Sequence, residues 1–398
     1  YAAYIGIFLL ATIQHGKADW VLVLVVSTMG FWFVGGFLTG SIVGEDLLSL
    51  KWAMNDGRAL FYYLPILPFL ILTADQKHVS FWTTLCTQLL LLGCLVAIPM
   101  VLSGRGRSIV SSGHHAVGAL FGVLSVFFIT RASILRRRKD IILALLSLLP
   151  VMASLSRTTV VGLAGVVMWL ILRQRSTRAL MVGATLGLLT LSIAPWAAPK
   201  FTGKTLQMLS SDLMARGVQT FSQSQWKPGN TWQQELVGKE WNILSRFVFW
   251  RYAWDNIVDS PLLGMGLGRF NDVRVEKSGE PGLAHIVTAG QRVTSVKTAH
   301  NTFLQYGAEG GLVGLGLVLS FWLVMYRRLG GFFRRTSGGD EPAALYMAGQ
   351  AIIVFVALSG LTNHSMGAPV YGLCSLPFIG LGIAAARNEY GLTAQIAS

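Results

Sequence analysis

The chain alternates long apolar runs with short polar breaks, and many runs have the length a helix needs to cross a bilayer. Trp20 to Val43, Phe81 to Leu102, Ala116 to Ile134 and Arg178 to Ala194 are examples, each near the ~20 residues that traverse the hydrocarbon core. Read in order, the runs predict helices near 1 to 13, 20 to 43, 59 to 74, 81 to 102, 113 to 131, 140 to 155, 158 to 172, 178 to 196, 302 to 326, 343 to 361 and 367 to 386. This is the pattern of an all-α polytopic membrane protein with about eleven transmembrane helices.

Between 197 and 300 the pattern changes. Polar residues, Trp, Gln and Asn become frequent, and no run there is long enough to span. Leu206, Leu209, Leu213 and Met214 recur at helical spacing within 204 to 220, as do Phe247, Trp250, Trp254 and Ile257 within 243 to 258. Two amphipathic helices lying on the bundle are therefore expected. The chain divides into N-terminal transmembrane helices at 1–196, a loop or lid at 197–300 and C-terminal transmembrane helices at 301–398. Gly264, Gly266 and Gly268 lack the spacing and the preceding strand of a dinucleotide loop. They read instead as a turn, begun by Pro261, that closes the second loop helix.

Composition agrees: 53% of residues are hydrophobic and 13% charged, against roughly a quarter charged in a soluble domain. A net charge of +14 would prompt a search for nucleic-acid contacts in a soluble protein. Here the charge is gathered in short loops, which is the membrane-orientation signal, and no nucleic-acid partner is expected. Arg136, Arg137, Arg138 and Lys139 form one cluster, Arg173, Arg175 and Arg178 a second, and Arg327, Arg328, Arg334 and Arg335 a third. Two predicted spans separate each cluster from the next, so all three fit in the cytoplasm together. The loops at 44–58, 103–112, 156–157, 197–300 and 362–366 then face the other side. Tyr1 would also lie outside, which predicts about twelve spans in the complete protein. Cys86, Cys94 and Cys374 lie in apolar runs without CxxC spacing or a nearby His, and no metal site or cofactor is expected.

Three sets of residues carry candidate chemistry. His300 stands where the polar loop re-enters the bundle, and an imidazole with an ordinary pKa near 6.5 is the usual general base at neutral pH. It is followed by Asn301, Gln305 and Glu309, a stripe at helical spacing that should face a protein-lined or wet cavity, because a charge at mid-bilayer costs about 2.5–3.5 kcal/mol. Glu309 is a structural carboxylate or a substrate contact. Gly307, Gly310, Gly311, Gly314 and Gly316 crowd the same helix and read as packing positions. The second candidate is Arg157, in a short non-cytoplasmic hairpin, where a guanidinium can grip a phosphate as a fork or simply reach the surface. The third is the pair Arg246 and Arg251 on the second loop helix; five residues apart, they point in different directions, so one is expected in the site while the other pairs with Asp255 or faces water. Arg58, Arg105, Arg107, His114 and His115 read as solvated surface. Cations near His300 would lower its pKa and keep it neutral.

At these residues the chain resembles the O-antigen ligase and polymerase superfamily of bacterial inner-membrane glycosyltransferases. The most specific match is His300-Asn301, nine intervening residues, then Gly311-Leu312-Val313-Gly314, supported by Ser156-Arg157 and by Pro261-Leu262-Leu263-Gly264-Met265-Gly266-Leu267-Gly268. The resemblance implies a metal-independent transferase, with its site facing the periplasm, that joins a glycan carried on undecaprenyl diphosphate to a sugar of the lipid A-core oligosaccharide. It also implies essential periplasmic arginines and a histidine, which by motif position are Arg157, Arg246 and His300, with Arg251, Asn301 and Glu309 as further candidates. An O-antigen polymerase or a protein O-oligosaccharyltransferase would share the donor and differ in acceptor. A transporter or flippase of the same lipid would be expected to show inverted repeats or broken helices, and neither is visible in the sequence.

Overall fold

The computed structural model describes residues 76–102, 114–154, 156–174, 241–266, 270, 298–334, 340–363 and 369–396, with a few helical positions between 24 and 31. Among the described residues the regular structure is all helical: α1 Gln76–Leu102, α2 His114–Leu135, α3 Arg138–Ser154, α4 Arg157–Gln174, α5 Trp241–Asp259, α6 Thr302–Phe333, α7 Glu341–Gly360 and α8 Pro369–Ile396. Each except α5 falls on an apolar run expected to span, and α5 falls on the second amphipathic segment. The expected helices at 1–13, 59–74, 178–196 and 204–220, and most of 20–43, lie outside the described residues. Lys77–Pro99, Val117–Leu135, Thr302–Phe333 and Glu341–Gly360 are long and apolar enough to cross a membrane, while α4 and α8 contain shorter apolar stretches.

The bundle is built around α7, which is apolar on nearly every side, as a helix enclosed by others must be. It packs against α2, α4, α6 and α8. Glycines on its neighbours let the axes close: a side chain at Gly122 of α2 or Gly162 of α4 would run into Phe355, and one at Gly349 of α7 into Leu329 of α6.

At one end an ion cluster joins three helices. Arg131 of α2 is 1% exposed and shares its guanidinium between Asp140 of α3, Nε to Oδ1 at 3.0 Å, and Glu341 of α7, bonded at 2.6 and 3.1 Å. Arg137 adds a bond to the same Glu341 carboxylate. The forked pair fixes orientation as well as distance, so the first turns of α3 and α7 are clamped to the last turn of α2. Arg136 to Lys139, one of the clusters expected in the cytoplasm, lie at this end.

The other end is tied by lighter bonds. Asn301 Nδ2 donates to the Leu361 carbonyl at 3.1 Å and Thr302 Oγ1 to the Asn363 carbonyl at 3.1 Å. Thr362 Oγ1 meets Thr158 Oγ1 at 3.3 Å. The turn after α7 thus connects the start of α6 with the start of α4.

The helix expected from 302 to 326 is not continuous. It is broken at Gly311, whose φ of 59° and ψ of −163° are non-helical, and the loop after α5 fills the break. Met265 and Gly266 N–H donate to the Ala308 and Glu309 carbonyls at 2.8 and 2.9 Å, while Leu312 and Val313 N–H donate to the Pro261 and Leu262 carbonyls at 2.7 and 3.2 Å. Backbone groups that the break leaves without helical partners are thereby satisfied, as they must be in a water-poor setting. Gly311 is therefore more than a packing position: a Cβ there would collide with the Leu262 carbonyl, and one at Gly264 (φ 69°) would lie 2.6 Å from the Ala308 oxygen.

The break also turns the helix. Gln350 of α7 bonds the Tyr326 carbonyl, and Leu361 is bonded by Asn301. At 1.5 Å per residue, positions 350 to 361 cover about 17 Å, whereas 301 to 326 on an unbroken helix would cover about 38 Å. The half helix 302–310 therefore runs across the bundle rather than along it. The part from 312 to 333 is about 33 Å long, enough alone to cross a ~30 Å hydrocarbon core.

Two consequences are measurable. Arg131→Ala leaves Asp140 buried without its cation and Glu341 with Arg137 alone, and should lower unfolding stability in detergent by about 3–5 kcal/mol; a loss below about 1 kcal/mol would mean that the cluster behaves as a surface pair. Gly311→Ala should displace loop 261–266 and open it to limited proteolysis, whereas Gly316→Ala, with open space around it, should not. Equal resistance of Gly311→Ala and the wild type would contradict the interlock.

Candidate functional site

His300 stands one residue before the cap of α6. Asn301 is the N-cap, its Oδ1 accepting from Phe303 N–H at 3.0 Å and Leu304 N–H at 3.1 Å, as a short polar side chain does at that position. Capping therefore falls to Asn301 and leaves the imidazole available for other work. His300 itself has φ of 49°, a left-handed conformation that costs a non-glycine residue about 1–2 kcal/mol. Such strain persists only when the surroundings hold it. They do: His300 N–H donates to Thr298 Oγ1 at 3.3 Å, and the neighbouring Ala299 N–H donates to Gln305 Oε1 at 2.7 Å.

Helix α5 forms the roof. Ile257 touches the space above Gly307, and Phe249 stacks on the His300 ring with centroids 6.3 Å apart and planes at 26°. The two contacts keep nearly the same offset in sequence, so α5 runs parallel to the half helix 302–310. Arg246 lies one turn before Phe249 on the same face. Burial, and then the positive charge of Arg246, push the His300 imidazole down from 6.5 to about 4. The ring is thus neutral throughout the physiological range and able to accept a proton. Arg251 points elsewhere, with its guanidinium Nε 2.9 Å from Asp255 one turn on, so of the two loop-helix arginines it is Arg246 that the fold brings to His300.

Arg157 is the first residue of α4; its side chain lies outside the described atoms. Its backbone belongs to the same end of the bundle, because Thr158 meets Thr362 and Leu361 is bonded by Asn301. Ser156 caps this helix start, with its Oγ accepting from Thr159 N–H at 3.4 Å and bonded to Thr159 Oγ1 at 2.9 Å. Beside them the Tyr371 hydroxyl sits among Ser359, Thr159 and Asn363.

Gln305 and Glu309 of the polar stripe are each 2% exposed, enclosed in protein. Gln305 Nε2 donates to Glu309 Oε1 at 2.7 Å. Asn301, third member of the stripe, serves the helix cap. Among the described residues no three His, Cys, Asp or Glu side chains converge as metal ligands.

Phe249, Thr362 and Tyr371 were not singled out by the sequence. Phe249 carries a usable signal, since it is three residues from Arg246 and so shares its face. The other two carry none, because their place depends on how separate spans pack.

A family model described as O-Antigen ligase matches residues 142–319. The match takes in Arg157, the roof helix, the Gly311 break and His300. No curated protein matches the chain. Over residues 142–319, then, the chain is similar to the O-antigen ligase family.

Proposed function

We propose that the protein is an O-antigen ligase of the bacterial inner membrane, moving a glycan from undecaprenyl diphosphate to the lipid A-core oligosaccharide in lipopolysaccharide biosynthesis. The observation that carries the reading is a half-buried, neutral His300 beside Arg246 at the seam between roof helix and bundle. In a single displacement His300 takes the proton of the acceptor hydroxyl as its oxygen attacks the anomeric carbon. The bond from that carbon to the diphosphate breaks, and the electron pair leaves with undecaprenyl diphosphate. Arg246 and Arg157 hold the leaving group and offset the charge that develops on it. The anomeric configuration inverts, and no metal takes part.

The same arrangement arms the base. A diphosphate on Arg246 cancels one of the two influences that depress the His300 pKa, so the imidazole becomes a stronger base when donor is bound.

The break in α6 is a feature that lipid carriers also use, so movement of the lipid-linked glycan is the second reading. In this chain the break is filled by loop backbone, which favours a fixed site. A polymerase or a protein O-oligosaccharyltransferase differs in acceptor, and incubation with lipid A-core or a pilin-like protein separates them from a ligase.

His300→Ala should lower transfer about 10²–10⁴-fold while the variant keeps its fold, whereas a flippase with the same change should still move lipid across vesicle membranes. Unimpaired transfer would remove the base from the scheme, and movement of lipid across the bilayer by the variant would favour the carrier. Because the neutral ring is the active form, kcat/KM should hold from pH 8 down to about 5 and fall only through about 4. An acid limb near 6.5 would place the titrating base elsewhere.

A further inference from the structure

A short buried chain of hydrogen bonds runs between the loop that fills the α6 break and the residue before the base. Gly266 N–H donates to the Glu309 carbonyl at 2.9 Å. The Glu309 carboxylate accepts from Gln305 Nε2 at 2.7 Å, and Gln305 Oε1 accepts from Ala299 N–H at 2.7 Å. The displacement scheme makes no use of Gln305 or Glu309, yet both are almost wholly enclosed.

The direction of the chain is fixed by its end. A backbone N–H can only donate, so Ala299 selects the carbonyl oxygen of Gln305, and the amide nitrogen must then face an acceptor. Glu309 supplies that acceptor. A leucine at 305 would leave the Ala299 N–H buried without a partner, and Glu309 without the donor that it now has in Gln305.

The helix cap does not do this work. Asn301 is engaged by the N–H groups of Phe303, Leu304 and Gln305, which leaves Ala299 outside the capped turn. Its N–H is 0% exposed with the rest of the residue, and a buried donor without an acceptor is relieved by movement of the backbone. The residue next in line is His300, in a left-handed conformation and with its ring under Phe249.

We propose that Gln305, oriented by Glu309, is a positioning residue for His300: the pair fixes the backbone at 299–300 so that the imidazole faces the acceptor, and couples the base to the docked loop 261–266. The proposal rests on the reading of His300 as the general base.

The full chain in lipid vesicles, with a diphospholipid-linked glycan and its sugar acceptor, provides the test. Gln305→Leu keeps the volume and removes the acceptor. It and Glu309→Ala should lower kcat about 10- to 100-fold, as misplacement of a reacting group does, with KM for the donor changed less than about twofold and the unfolding midpoint retained. Glu309→Gln, which still offers a carbonyl oxygen, should recover most of the rate lost in Glu309→Ala. The pair acts through the imidazole, so His300→Ala combined with Gln305→Leu should be no slower than His300→Ala alone. Wild-type kcat in Gln305→Leu, or a further loss in the double variant, overturns the proposal. Wild-type transfer by His300→Ala would instead sink the reading on which it rests, so the two failures are distinguishable.

Discussion

The site depends on four backbone hydrogen bonds across the break at Gly311. Two carbonyls and two N–H groups of α6 lose their helical partners there, and each would be costly to leave unsatisfied away from water. The loop at 261–266 supplies all four partners. Glycine at 311 and 264 permits the approach, since a side chain at either would strike the opposite backbone. Because the loop is the end of α5, docking it also lays α5 along the half helix 302–310. Phe249 and Arg246 then stand over His300, from a stretch of chain separated from it by some fifty residues.

The two ends of the bundle divide the labour. The Arg131, Asp140 and Glu341 cluster clamps α2, α3 and α7 with charges that are nearly or wholly buried, an arrangement that resists the loss of any one partner. The opposite end is joined by single hydrogen bonds between side chains and turns, at Asn301, Thr302 and Thr362. The candidate site at His300 sits at the end held by the weaker bonds, which suits the two large substrates of the proposed reaction.

Much of this was legible in the sequence because apolar run length reports directly on spanning helices. The runs at 81–102, 113–131, 140–155 and 158–172 end within a few residues of the observed helices, and α5 extends the predicted 243–258 by two residues at one end and one at the other. His300 and Arg246 were legible as candidates through residue chemistry and position, and the resemblance joined them. The break was not legible. Glycine crowding at 307–316 signals close approach, but whether a helix stays whole depends on a partner backbone that only the tertiary fold supplies. The Arg131 cluster was missed for a related reason: one arginine inside an apolar run announces a partner without naming it, and Glu341 lies far along the chain. Glu309 was read as either structural or substrate-binding, and its bond to Gln305 links it to the backbone beside the base.

The central claim is that the seam between α5 and the start of α6 is where the donor's diphosphate and the base meet. Determination of the structure by electron cryo-microscopy with undecaprenyl diphosphate bound tests it most directly. The account predicts diphosphate oxygens within hydrogen-bond distance of the Arg246 and Arg157 guanidinium groups, with His300 facing the space where the anomeric carbon would stand. A diphosphate bound away from Arg246, or at the Arg131 end of the bundle, would contradict it.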